Sequence, residues 1–128
     1  MKKALALASV VEAATGIFLL VSPSLVVRLL LGAEIDGVAA LVSRVAGISL
    51  IGLALACWPN DSGSQPLYGM LTYSALVMLA LFAAGVRGEA VGLLLWPAVV
   101  AHAILVTLLL RAAIQGRERQ ASAFRKAS

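Results

Sequence analysis

The chain of 128 residues is 62% hydrophobic and only 12% charged, with a formal net charge of +4. Soluble domains average about 45–50% apolar and about 25% charged residues, so a water-soluble fold is excluded, and the length supports a single domain, 1–128. A lone Cys57 and a lone His102 exclude an internal disulfide, a cysteine-rich metal centre and any site that needs two imidazoles from one chain.

Lys2 and Lys3 precede an apolar run, residues 4–21. The run is longer than a signal-peptide core, Glu12 interrupts it, and Ser22-Pro23-Ser24 is a poor cleavage site. It therefore reads as an uncleaved span, about 27 Å long against a hydrocarbon core of about 30 Å. Ser9, Ala13 and Gly16 lie near Glu12 at helical spacings, a small-residue stripe that turns the carboxylate toward a neighbouring helix. Ser22 and Pro23 suit the cap and first turn of a new helix. The segment 24–31 is too short to span and carries Arg28 among Leu and Val, the pattern of an interfacial helix.

After the acidic turn 32–37 comes a second span, 38–58, with Arg44 about two turns inside it. An unpaired guanidinium at that depth costs roughly 2.5–3.5 kcal/mol on insertion scales, so a partner is expected. Ser43 with Gly47, and Gly52 with Ala56, mark close-packing positions, and Trp58-Pro59 ends the span. The short polar loop 60–65 makes spans two and three antiparallel neighbours. Span three is 67–86, with Tyr68 near its start and Tyr73 deeper. Span four is 90–110, with His102 and Trp96-Pro97 inside it; Pro97 should kink the helix where Leu93 loses a backbone partner. A basic tail, 111–128, begins helical and frays. The fold class is thus all-α: a polytopic membrane protein with four transmembrane helices in an up-down bundle and a short interfacial helix after the first.

Lys2, Lys3, Arg111, Arg117, Arg119, Arg125 and Lys126 put seven of the ten basic residues at the two ends. Four spans bring both termini to one side, and the positive-inside rule places them in the cytoplasm. Counted from the outer ends of their spans, Glu12 lies about 13 Å deep, Arg44 about 9 Å and His102 about 18 Å. Glu12 and Arg44 should therefore pair, with His102 joining through Tyr73 or water. A structural ion pair and a functional one both fit this pattern. His102 bonded to a helix carbonyl is the simpler reading of that residue. No metal ligand set is present, Tyr73, Trp58 and Trp96 suit packing or interfacial positions, and Cys57 reads as a small apolar residue. No nucleophile–base pair, phosphate loop or nucleic-acid motif appears, so an enzyme is not indicated.

An acidic residue in span one followed by glycine and proline (Glu12, Gly16, Pro23), a short apolar helix, and an Arg–x–x–Gly opening to span two (Arg44, Gly47) resembles DoxX-like small four-helix membrane proteins. The likeness covers the first half of the chain and the span count. It implies a bacterial inner-membrane protein, in some cases linked to quinone or thiol oxidoreductases, and it carries over Glu12 and Arg44. Three functions fit. One is a membrane subunit whose Glu12–Arg44–His102–Tyr73 cluster holds a small quinone-like or anionic ligand, with no other cofactor. The second is a proton-coupled exporter using Glu12, similar to small multidrug-resistance transporters, though Arg44 would neutralise a cation-binding carboxylate. The third is a scaffold for partner helices. The thin core leaves room for a homo-oligomer or a partner membrane protein beside the lipid bilayer, and nucleic acid is not expected.

Overall fold

The computed structural model describes residues 2–59 and 64–127. Within them the chain forms five helices and no strand: α1 (Lys2–Val21), α2 (Pro23–Leu31), α3 (Gly37–Ala56), α4 (Gln65–Val86) and α5 (Leu95–Ala127). Four of these, α1, α3, α4 and α5, are long and apolar enough to cross a membrane. The chain is a small multi-pass, all-helical membrane protein. Residues 60–63 of the polar loop lie outside the described residues.

The buried residues of α1 are Leu5, Ala8, Ser9, Glu12 and Gly16, one helical face. That face is shared among three neighbours: α3 packs along it, and α4 and α5 approach it together. At one end of the bundle Leu5 and Ala8 meet Leu67 and Met70 of α4 and Leu109 and Ala112 of α5, with Cys57 closing the layer. The N-terminal end of α1 and the basic half of α5 therefore leave the bundle at the same end.

The contact between α1 and α3 turns on two glycines. A Cβ built on Gly16 would stand 2.6 Å from the Gly47 carbonyl oxygen, and one built on Gly47 would stand 2.6 Å from that of Gly16. Any side chain at either position would force the helices apart; glycine lets the backbones touch, the close approach that drives association where lipid is as apolar as Leu. Gly16 also meets Ile51, and Gly47 meets Leu20, which makes the pair antiparallel.

Three expectations are corrected. Spans two and three are joined by a short loop, yet α3 packs on α1 and α2 rather than along α4, because the glycine seam gives it a tighter partner. The fourth span starts at Leu95, not residue 90, so Pro97 falls in the first turn of α5. There its missing N–H has no intrahelical partner to lose, and no kink at Leu93 arises. Ser22 does occupy the N-cap position of α2, but its side chain makes no capping bond.

Residues 90–94 instead form a non-helical strap across the end of α2. Val91 N–H donates to the Leu31 carbonyl at 3.0 Å and Leu94 N–H to that of Leu29 at 2.7 Å, satisfying carbonyls that a helix end leaves free. Gly92 has room for no side chain, since a Cβ there would enter the Leu30 carbonyl group. Gly32, at φ 76°, takes the left-handed conformation and donates its N–H to Arg28 at 2.9 Å, which ends α2.

Candidate functional site

Glu12 sits mid-way along α1 with its side chain 2% exposed. Tyr73 of α4 donates its hydroxyl to Glu12 Oε2 at 3.2 Å. His102 of α5 places Nε2 at 3.4 Å from Glu12 Oε1. Three helices thus converge on one carboxyl group, and they do so because Glu12 occupies the α1 face that α4 and α5 share.

The imidazole is oriented from its far side. His102 Nδ1 lies 2.9 Å from the Ala98 carbonyl, which can only accept, so Nδ1 carries a hydrogen. Nε2 is then the nitrogen that gains or loses a proton, and it faces Oε1. Among the described residues neither Nε2 nor Oε1 makes a hydrogen bond, and the two stand 3.4 Å apart. Two bare lone-pair atoms this close in a buried site repel, so their approach favours one proton held between them. Either a neutral carboxylic acid donates to a neutral imidazole, or a carboxylate faces an imidazolium. Both states leave the pair electrically neutral.

Ser9 and Ser74, each 0% exposed, have hydroxyls with no hydrogen-bond partner among the described atoms. Thr15, Ser43, Ser49 and Thr107 behave differently. Each bonds back to the carbonyl four residues earlier, at 2.8–3.0 Å. Ser9 lies one turn from Glu12 on the same face of α1, while Ser74 lies on the buried face of α4 one residue past Tyr73. The sequence did not single out Ser74; its one signal is its place four residues after Met70 on that buried face.

Arg44 stands apart. It is exposed on α3, and among the described residues no ion pair joins it to Glu12. The glycine seam explains why depths counted from span ends mislead. It sets α3 so that its first turns reach past Val21 and lie beside α2. Carried along the antiparallel pair, that register puts Arg44 opposite residues 19–23, some 10–16 Å from the level of Glu12. At the level where α1 ends, a long guanidinium side chain reaches the headgroups without a buried partner. His102 and Tyr73, expected as indirect participants, are the direct partners of Glu12.

Trp96 packs edge-on against Phe82, with centroids 6.1 Å apart, and Trp58 is exposed. Neither aromatic belongs to the site. Among the described residues no group of three or more His, Cys, Asp and Glu side chains is arranged to hold a metal ion. Compared with known protein families, curated proteins and solved structures, the chain matches none.

Proposed function

We propose that the protein is a small proton-coupled membrane transporter in which Glu12 and His102 bind one proton between them. The observation that carries this reading is the 3.4 Å approach of His102 Nε2 to Glu12 Oε1 inside a buried site, with Tyr73 holding the other carboxyl oxygen. Loss of the shared proton leaves one net negative charge among apolar side chains. An uncompensated buried charge costs several kcal/mol, enough to shift a helix bundle between conformations or to draw in a counter-charge. The cargo class that fits is a lipophilic cation exchanged for the proton.

The position of Arg44 favours this reading over an anion or quinone site. With Arg44 outside the cluster, the described residues around Glu12 include no fixed cation to anchor a carbonyl or anion or to compete with the proton for Glu12. The shared end of the bundle from which both basic segments emerge supports placing the N and C termini on the cytoplasmic side.

The test is proton counting in detergent with a lipophilic cation, tetraphenylphosphonium, as probe. Wild-type protein should release about one proton per chain on cation addition at a pH where the pair is loaded. Glu12→Gln should release none while keeping its helical content. No release from wild type, or the same release from Glu12→Gln, would overturn the proposal.

A further inference from the structure

A second site lies at the end of the bundle where α4 begins and α5 emerges. A cleft of about 280 Å³ is lined by Ser64, Leu67 and Tyr68 of the α4 entry and by Gly116, Arg117 and Arg119 of α5. This is close to the lower end of the ~300–1,000 Å³ typical of small-ligand sites. The volume suits a headgroup rather than a whole lipid.

Its chemistry is that of an anion receptor. Arg117 Nε donates to the Tyr68 hydroxyl at 3.1 Å, and the guanidinium lies 5.7 Å from the Tyr68 ring centre. Both contacts hold the arginine in place through Nε and its flat face, which leaves the two terminal nitrogens for a bidentate acceptor. Arg119 adds a second cation on the same wall. Ser64 and Tyr68, at the N-terminal end of the 22-residue α4, line the same cleft, so the positive end of that helix dipole lies beside it. The intervening acid, Glu118, does not line this cleft; it lies with Ser122 and Arg125 on another face of α5.

Depth selects the source of the anion. About 20 helical residues cross the hydrocarbon, which for α5 means roughly Leu95 to Ile114. Gly116, Arg117 and Arg119 then fall in the headgroup layer, while Leu67, 1% exposed, closes the cleft on its apolar side.

We propose that this cleft binds the phosphodiester headgroup of an anionic phospholipid, gripped by Arg117 and Arg119 and steered by Tyr68. The inference is independent of the proton site. The experiment is native mass spectrometry and binding of the full chain in nanodiscs at about 0.15 M salt, comparing phosphatidylglycerol with phosphatidylcholine. Wild type should retain phosphatidylglycerol selectively. Arg117→Gln with Arg119→Gln should lower that preference roughly 30-fold, the value for two near-surface cations. Tyr68→Phe, which keeps both charges, should lower it several-fold by freeing Arg117.

Arg125→Gln with Lys126→Gln removes the same charge one to two turns farther out, about a Debye length away, and should change the preference little. Equal losses from the two double variants would reveal diffuse attraction to the tail and overturn the proposal. So would an Arg117/Arg119 variant that stays folded and keeps full selectivity. Displacement of the lipid by millimolar inorganic phosphate would make a soluble anion the occupant, and would overturn it as well.

Discussion

Gly16→Ala is the sharpest probe of how this bundle holds together. The added methyl would stand 2.6 Å from the Gly47 carbonyl oxygen and 2.9 Å from Ile51 Cγ1, where ordinary contact begins near 3.4 Å. The first of these atoms is backbone and cannot turn aside, so α3 must move by about 0.8 Å. A gap of 0.5–1 Å forfeits a quarter to a half of each dispersion contact along the seam. Among the described residues α3 packs chiefly on α1, with α2 a short second neighbour, so little else holds it in place. Overpacking of this kind costs about 1–3 kcal/mol. Reversible unfolding in mixed micelles, followed by circular dichroism, should register that loss for Gly16→Ala and again for Gly47→Ala. The double variant should cost less than the sum, because one displacement relieves both clashes. Gly52→Ala is the control. Its Cβ meets nothing within 4 Å, and removing a helical glycine should be neutral or stabilising by up to about 1 kcal/mol. A Gly16→Ala protein as stable as Gly52→Ala would refute the seam.

Three further outcomes follow from the geometry. Glu12→Gln keeps an amide that can donate to His102 Nε2 and accept from Tyr73, so its stability should stay within about 1 kcal/mol of wild type; Glu12→Leu strands both partners and should lose about 1–3 kcal/mol more in the same unfolding assay. Arg44→Gln should be neutral within about 0.5 kcal/mol, as befits an exposed side chain; a large loss restored by adding Glu12→Gln would instead reveal a buried ion pair. Gly92→Ala should dislodge the strap from α2, and amide exchange at Val91 and Leu94 should accelerate about tenfold or more, whereas unchanged protection would mean that the strap does not depend on this glycine.

Hydropathy alone located α1, α3 and α4 to within a few residues, because apolar runs of about 20 residues bounded by Pro, Gly and charge leave little choice. It misplaced the start of α5, since residues 90–94 are as apolar as the helix they precede. Only the backbone bonds to α2 reveal them as a strap. Glu12 was legible as a buried group because a carboxylate inside an apolar run must face protein. Its partner was not. Pairing by depth assumed that span ends lie level, and the Gly16–Gly47 contact slides α3 past the end of α1. Small residues announce that two helices touch closely, but not which residue meets which. The separations involved, 61 residues from Glu12 to Tyr73 and farther still to His102, lie beyond any local pattern.

Those separations also order the events of biogenesis. Within this chain α1 enters the bilayer with Glu12 on its inner face, well before Tyr73 has been made and longer before His102. Until α4 and α5 arrive, the carboxyl group lacks both of its side-chain partners, because lipid offers it none. α5 is therefore the span that completes the environment of α1. A chain stopped after α4 would hold that acid by Tyr73 alone, its other oxygen without His102, a mark by which membrane quality control can tell unfinished protein from finished.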